Sequence, residues 1–239
     1  MYRTNIDGTR NLLYACEGKS VNKFCFVSST SVLDGFNDNG EVDENSSYNP
    51  KLDHSAYAVS KHLSEMEVWR ASAEGLQTVI VNPGIIIGSG NWRTSSGLIF
   101  KNFLRSFTFS GGAAYIDVRD VAKISVELME QNIFNERFIL ISENKKYSEV
   151  AGKVRKELGK AEPKIIPKFV LTFGRIFNIL FGWLIPELRI INKVNADTIS
   201  TLSNVSNKKI KEKLGFEFIP VSESIDFHFE NYISDHKIL

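Results

Sequence analysis

Two side chains with complementary chemistry, Tyr57 and Lys61, lie four residues apart in the sequence Tyr-Ala-Val-Ser-Lys. On a helix this spacing places them on one face, one turn apart. A lysine ammonium beside a phenol stabilises the phenolate and lowers a phenol pKa that is ordinarily about 10. A phenol in this setting can exchange a proton near neutral pH. The spacing therefore predicts a general acid-base site, although it is also typical of an exposed helix with a solvated lysine.

Hydroxyl and amide groups follow two predicted strands at the points where those strands end. The apolar run Lys23–Val27 is followed by Ser28-Ser29-Thr30, and the run Thr78–Val81 is followed by Asn82-Pro83-Gly84. In an open parallel sheet, ligands bind beyond the carboxyl ends of the strands. We therefore expect these groups and the helix that carries Tyr57 to face one pocket.

The elements that must position these groups alternate along the chain as helix and apolar strand. This alternation is typical of an α/β fold with a doubly wound parallel sheet. The first predicted helix ends near residue 18, and the others span about 55–73, 120–130, 148–158 and 208–215. The predicted strands span 23–27, 78–81, 85–87, 114–116 and 137–142. A polar loop is expected over residues 34–50.

Composition excludes several classes of protein. With 43% hydrophobic and 24% charged residues in 239, the chain can form an ordinary globular core and is not a coiled coil or a disordered protein. A net charge of +1 provides no overall field for nucleic acid. Cys16 and Cys25 form no CxxC pair and the four histidines are scattered, so we expect no metal site. The cysteine usage and the lack of an apolar leader favour the cytoplasm.

A strongly apolar segment covers residues 165–191 and is most apolar over 169–185. The stretch 169–185 is close to the shortest length that spans a bilayer, but Arg175 and Asn178 stand in its middle. We expect a buried or lid helix beside a ligand pocket and no membrane span. Peripheral contact with a membrane is left open.

Five segments, in the same order, resemble motifs of the extended short-chain dehydrogenase/reductase superfamily, which includes NAD-dependent epimerases, dehydratases and reductases. The segments are Asn5–Leu13 (N-x-x-G-T-x-N-L-L), Val27–Val32 with Gly35 (V-S-[ST]-x-x-V-x-G), Tyr57–Lys61 (Y-x-x-x-K), Asn82-Pro83-Gly84 with Gly88, and Tyr115–Ala122 (F-[IV]-x-V-x-D-V-A). The resemblance covers nearly the whole chain and implies a Rossmann-like sheet with NAD or NADP as the cofactor.

The resemblance also implies roles for individual residues. Tyr57 would be the general acid-base, and Lys61 would hold the nicotinamide ribose and support proton transfer by Tyr57. Asn5 would touch the cofactor, and the backbone around Pro83 would meet the nicotinamide. Asn82 is a weaker candidate for a substrate contact.

The catalytic hydroxyl that the resemblance implies has two candidates, because Gly35 lies one place further from Val32 than in the family pattern. Counting back from Val32 selects Ser29, whereas counting back from Gly35 selects Thr30. Ser29 is preferred, since a loop accommodates an extra residue more easily than a strand end accommodates a shift. Thr30 then remains a candidate substrate contact.

Two other patterns receive structural interpretations. Asp117 and Asp120 could form a carboxylate pair, but Asp120 is expected to cap its helix and Asp117 to be solvated or to make a structural hydrogen bond. Gly88-Ser89-Gly90 is interpreted as a turn, because it lacks the third glycine and the helix signal of a phosphate loop.

One family motif, the glycine-rich G-x-x-G-x-x-G turn that binds the pyrophosphate at a helix N-terminus, does not occur in residues 1–239. The resemblance therefore implies that roughly 70 residues of a typical member are missing, the size of two βα units. The sheet would be N-terminally incomplete. We expect the chain alone to bind NAD weakly and to be inactive.

The resemblance implies a cofactor-binding region and a substrate-binding region. Residues 1–88 and 114–142 would form an incomplete NAD(P)-binding domain. Residues 89–113 and 143–239 would form a smaller substrate-binding region.

The expected activity is NAD(P)-dependent oxidoreduction at a carbinol or carbonyl carbon of a small, weakly polar molecule, as in flavonol reductases and 3β-hydroxysteroid dehydrogenases. The alternatives are a nucleotide-sugar epimerase, in which Arg93, Lys101 and Arg105 would meet the diphosphate, and a truncated, non-catalytic binding protein. A dehydratase is disfavoured, because no Asp-Glu pair follows the strand-end hydroxyl. Substrate identity, the choice between NAD and NADP, and a homodimer are left open.

Overall fold

Apolar strands and amphipathic helices follow one another in the computed structural model, which describes residues 1–17, 19–93, 95–167, 170 and 199–236. The helices are α1 Gly8–Glu17, α2 Ala56–Ala73, α3 Ile99–Phe103, α4 Val118–Glu130, α5 Tyr147–Glu157, α6 Lys208–Leu214 and α7 Val221–His236. The strands are β1 Lys23–Val27, β2 Gln77–Pro83, β3 Ile85–Ile87, β4 Phe107–Thr108, β5 Gly112–Asp117, β6 Glu136–Leu140, β7 Glu143–Lys146 and β8 Lys164–Ile165.

The chain divides into two compact units, and each has its own three-stranded sheet. The first unit comprises Met1–Gly84, Val118–Ile141 and Val205–Phe218, and the second comprises Ile85–Asp117, Ser142–Asn204 and Ile219–Leu239. The first sheet has the order β1-β2-β6 and the second the order β3-β5-β7.

The sheet of the first unit is parallel throughout and covered on both faces, as the doubly wound fold requires. Strand β2 is buried from its second residue to its last, so neither face is left to solvent. On one face Ile80 packs with Phe26 of β1, Leu13 of α1 and Val68 of α2. Helix α4 packs on β1 and β2. The α/β fold class predicted from the alternation of elements is confirmed.

Strand β2 differs from its prediction in length. It was expected to break at Asn82, but it continues through Pro83, which lies opposite Leu140 of β6. Gly84 then donates its backbone N–H to the carbonyl of Leu140. The break was wrong because a proline is tolerated where a strand ends.

The sheet of the second unit is mixed, because it contains a strand, β7, that was not predicted from the sequence. Strands β3 and β5 are parallel, but β7 pairs antiparallel with β5, from Gly112 opposite Lys146 to Tyr115 opposite Glu143. Strand β7 reads Glu-Asn-Lys-Lys, which carries no hydrophobic signal. It is held by backbone hydrogen bonds to β5, which sequence periodicity does not report.

Helix α7 supplies much of the core of the second unit. Its residues Val221, Ile225, Phe229 and Tyr232 are buried and lie at helical spacing, packed with Phe100 of α3. No helix was predicted beyond residue 215. The spacing of these four residues was the available signal for a helix.

The apolar segment 169–185, predicted to be a lid or buried helix, lies outside the described residues except for Val170. Among the residues that the structure describes, no helix has the length and hydrophobicity needed to cross a membrane.

Candidate active site

Tyr57 lies in the first turn of α2, in the first unit. The helix begins at Ala56 because the hydroxyl of Ser55 accepts a hydrogen bond from the backbone N–H of Ala58 (3.1 Å). The Tyr57 side chain is 40% exposed. No described residue makes a hydrogen bond with its hydroxyl, so the phenol can meet a ligand.

Lys61 lies one turn further along α2, and its ammonium is tied to the end of β1. Its Nζ donates to the carbonyl of Val27 at 2.7 Å and lies 5.0 Å from the ring centre of Phe26. Burial lowers the pKa of Lys61, and the negative charge of Glu65 opposes that shift. An ammonium has three donors, and this contact uses one of them.

Ser29 is the last extended residue after β1, with φ −162° and ψ 151°. It caps a short 3₁₀ turn, Thr30–Val32, by accepting a hydrogen bond from the backbone N–H of Ser31 at 3.2 Å. Because its oxygen accepts that bond, its own hydrogen remains available to donate. Thr30 already belongs to the turn and is half-buried.

Asn5 lies in a wide π-helical turn, Arg3–Asp7, that leads into α1. Its amide donates to the hydroxyl of Ser60 at 2.9 Å, and Ser60 in turn donates to the carbonyl of Tyr57 at 2.8 Å. Asn5 therefore connects this turn to the first turns of α2. Its carboxamide oxygen is the part of the side chain that could meet a cofactor.

Asn82 and Pro83 close the carboxyl end of β2, and both are buried. Asn82 is 0% exposed, and its amide donates to the carbonyl of Ser29 (3.1 Å) and to a carboxylate oxygen of Glu65 (3.2 Å). The structure thus gives the Asn82 amide two protein partners.

Two residues that were not predicted as site residues, Glu65 and Arg137, lie beside these groups, and Glu65 contacts Asn82. Glu65 on α2 is 1% exposed, and its carboxylate accepts hydrogen bonds from Arg137 of β6 and from the indole of Trp69. Two signals could have found them: Glu65 continues the four-residue spacing of Tyr57 and Lys61, and Arg137 is a cation in an apolar strand.

An aromatic stack lies beside the start of α2. The ring of Tyr48 stacks on His54 (4.2 Å between centroids) and on His62 (3.9 Å). His54 contacts the carbonyl of Asn49 at 2.8 Å and the Asp34 carboxylate at 3.5 Å. The stack fixes the polar loop predicted over 34–50 against the helix that carries Tyr57.

A second buried polar cluster lies within the second unit. Asp117 at the end of β5 is 1% exposed, and its carboxylate lies 3.3 Å from Nε2 of the buried His228. Nδ1 of His228 is 2.7 Å from the hydroxyl of Ser89, which also accepts a hydrogen bond from Asn231 at 3.0 Å. Asp117 is thus part of a buried structural network.

Asp120 differs from its predicted role. It is buried in the first turn of α4, two residues after the helix begins at Val118, and so does not occupy the capping position. No group of acidic, histidine or cysteine side chains in the described part of the chain has the arrangement of a metal site.

The parallel α/β unit, with a tyrosine and a lysine one turn apart on the helix that follows a hydroxyl-bearing strand end, defines a protein of the short-chain dehydrogenase/reductase class. Residues 1–140 match the model of the NAD dependent epimerase/dehydratase family, and the chain belongs to that family. The family resemblance seen in the sequence motifs is thereby confirmed.

Two curated relatives illustrate the similarity. The decarboxylating sterol-4-alpha-carboxylate 3-dehydrogenase of Schizosaccharomyces pombe is 32% identical over 127 residues, which cover 48% of this chain and 37% of that protein. The 3beta-hydroxysteroid-dehydrogenase/decarboxylase isoform 1 of Arabidopsis thaliana is 24% identical over 247 residues, covering 94% of this chain and 56% of that protein. The chain spans 37–56% of the length of the curated relatives it matches.

Two solved structures show the same fold. UDP-glucose 4-epimerase of Thermus thermophilus in complex with NAD has a TM-score of 0.69 at 20% identity, over 96% of this chain and 70% of that one. Gre2 of Candida albicans in complex with NADPH has a TM-score of 0.69 at 18% identity, over 98% and 71%. Proteins of this fold thus bind NAD or NADPH.

Proposed function

We propose that this chain carries the proton-transfer site of an NAD(P)-dependent oxidoreductase that acts on a carbinol or carbonyl carbon. The observation that carries the proposal is the pairing on α2 of the exposed, unpartnered Tyr57 hydroxyl with the Lys61 ammonium fixed by Val27. The phenol is open to a substrate oxygen, and the ammonium stabilises the phenolate that forms when the proton leaves.

The residues fit the ribose and nicotinamide end of such a cofactor. Lys61 has two donors left after its bond to Val27, enough for a ribose diol. The carboxamide oxygen of Asn5 and the backbone at Pro83 are the further candidates for contact. When bound, NAD(P) would supply or accept the hydride.

Ser29 is the better of the two hydroxyl candidates for the reacting oxygen. Its own oxygen is occupied as an acceptor by the backbone of Ser31, and this leaves its proton to donate. In the proposed step, Ser29 donates a hydrogen bond to the substrate oxygen and Tyr57 exchanges a proton with that oxygen. Asn82 donates a hydrogen bond to the backbone carbonyl of Ser29, and we assign it the role of supporting Ser29 in preference to a substrate contact.

The relatives favour a weakly polar alcohol or ketone as substrate. Several bear names of enzymes that act on sterols or steroids, and another is named a tetraketide alpha-pyrone reductase. A nucleotide-sugar epimerase is the second candidate, since family membership includes epimerases. For that activity the exposed Arg93, Lys101 and Arg105 would be the cations to meet a diphosphate.

The test is Tyr57→Phe in the protein at its full natural length, assayed for hydride transfer with NAD or NADP and hydroxysteroids, and for epimerisation of UDP-sugars. We expect turnover to fall on the order of 10²-fold or more, with unchanged stability because the hydroxyl is exposed. Tyr14→Phe is the matched control, since Tyr14 is also an exposed helical tyrosine. Near-normal turnover in Tyr57→Phe would reject the role. A wild-type protein with neither activity would favour the non-catalytic binding protein.

A further inference from the structure

An ion pair between the buried Glu65 and the half-buried Arg137 lies next to the candidate site. Glu65 is one helical turn beyond Lys61 on α2, and Arg137 is the second residue of β6. Arg137 also donates to the carbonyl of Ser46 at 3.3 Å and lies 5.8 Å from the ring centre of Trp69. The pair is therefore held on several sides within the first unit.

We propose that Glu65 and Arg137 are a positioning pair. The pair holds Lys61 and the backbone of Ser29 at a fixed separation and sets the electrostatic environment of the Lys61 ammonium. The proposal rests on the proposed function for its catalytic consequence. Its electrostatic part is measurable without turnover.

The positioning argument follows the hydrogen bonds. Glu65 accepts from Asn82, and Asn82 donates to the carbonyl of Ser29, so α2 is tied through β2 to the end of β1. Lys61 reaches the same strand end independently, through the carbonyl of Val27. The carbonyls of Val27 and Ser29, two residues apart, thus fix the position of α2 against the hydroxyl-bearing turn.

Stability alone does not account for the pair. Replacing a buried ion pair by apolar residues of similar volume is often neutral or stabilising, because both charges must leave water. The pair offers what an apolar contact lacks, namely directed hydrogen bonds and a fixed local charge. A carboxylate one turn from an ammonium also favours its charged form.

The charges that act on Lys61 are few in the described part of the chain. Burial lowers its pKa, and Glu65 on its own helix raises it. His62 is the next residue, and it senses the charges of Glu65, Arg137, His54 and Asp34. Arg137 comes from β6, and from β1 the contacts are uncharged, the carbonyl of Val27 and the ring of Phe26.

This arrangement predicts opposite effects of removing the two partners. Glu65→Gln leaves the Arg137 cation behind Lys61, so the pKa of Lys61 should fall, on the order of 1 pH unit for a lost charge one turn away. Arg137→Met leaves the Glu65 anion, so the pKa of Lys61 should rise by a smaller amount. A merely structural role would shift both in the same direction or not at all.

The measurement is an NMR titration of the protein with lysines ¹³C-dimethylated, with the Lys61 signal assigned by its loss in Lys61→Arg. Arg137→Lys, which retains the charge, should bring the titration back toward wild type. Shifts of the same sign in Glu65→Gln and Arg137→Met, or no shift in either, would overturn the electrostatic part.

A double variant is the control for misfolding of the single variants. Glu65→Gln with Arg137→Met leaves no unpaired buried charge, so it should fold, and its Lys61 pKa should lie between those of the single variants. We expect its kcat to fall on the order of tenfold at unchanged KM, because the reacting groups lose their alignment. Wild-type kcat in this variant would overturn the positioning role. An inactive wild-type protein with the expected opposite shifts would reject the proposed function and retain the pair.

Discussion

Each unit contains a carboxylate that is only 1% exposed, and the two carboxylates face different partners. In the first unit Glu65 faces the guanidinium of Arg137, and in the second Asp117 faces the imidazole of His228. A guanidinium carries five N–H donors in a planar fork, whereas an imidazole has two ring nitrogens. The two carboxylates therefore face partners of different donor capacity.

The two pairs also differ in the residues that they contact. Glu65 is joined to Asn82 and through it to the backbone of Ser29, so its fixed charge lies next to the candidate catalytic groups. In the second pair, His228 contacts the hydroxyl of Ser89, which also accepts a hydrogen bond from Asn231. These contacts link α7 to the turn after β3. The first pair therefore lies among the candidate site residues, and the second lies where α7 packs within its unit.

The largest effect that would test this contrast is expected for Glu65→Gln. The guanidinium of Arg137 cannot neutralise itself, so the variant should lose about 3 kcal/mol of unfolding free energy, the scale for breaking a buried ion pair. Denaturant unfolding measures this loss. Lys145→Met, which removes the part-exposed contact to Glu143, is the control and should change stability by less than about 1 kcal/mol.

A smaller effect is expected for the matched substitution Asp117→Asn in the second unit. Asparagine matches aspartate in shape and keeps a polar atom near Nε2 of His228, which lies 3.3 Å from the Asp117 carboxylate, so the variant should lose only about 1–2 kcal/mol, the cost of a disturbed buried polar contact. The same unfolding experiment compares the two variants. Equal losses for Glu65→Gln and Asp117→Asn would show that the nature of the partner side chain does not matter.

The smallest effect concerns acid stability and the His62 ring that stacks on Tyr48. Burial lowers the pKa of His62 below its ordinary value of 6.5. The stability that the neutral ring contributes is therefore fully present above pH 6.5 and is lost as the pH falls through the lowered pKa. The loss should be well under about 1 kcal/mol, because the ring is part exposed.

His62→Gln tests this expectation, since it should flatten the dependence of unfolding free energy on pH between neutrality and pH 5. His236→Gln is the control, as that histidine is exposed near the end of α7. An unchanged slope in His62→Gln would assign the acid sensitivity to another group.

The candidate site could be predicted as far as its pattern is local. The helix with Tyr57 and Lys61 and the strand ending before Ser29 follow from spacing within a few residues, and the structure has both elements at the predicted places. The contact between Glu65 and Arg137 joins residues 72 positions apart. No periodicity reports such a contact, because it depends on which strand lies next to β2.

The same reasoning explains the errors in the fold. Strand β7 has four polar or charged residues and exists because β5 offers unpaired backbone groups, so only the tertiary structure reveals it. Helix α7, in contrast, carries a readable pattern in Val221, Ile225 and Phe229. Its omission was a failure to use a local signal.

The hydrogen bond from Lys61 to Val27 has a further consequence for the outer side of the described sheet. Ser28 directs its backbone toward β2, where its N–H meets the carbonyl of Val81, so the carbonyl of Val27 points away from β2. In the described sheet β1 is the outer strand, and an outward carbonyl can accept a hydrogen bond from a further strand. The Lys61 ammonium occupies this acceptor and places a positive charge beside it. The lysine proposed to stabilise the Tyr57 phenolate thus also takes up the last outward carbonyl of β1.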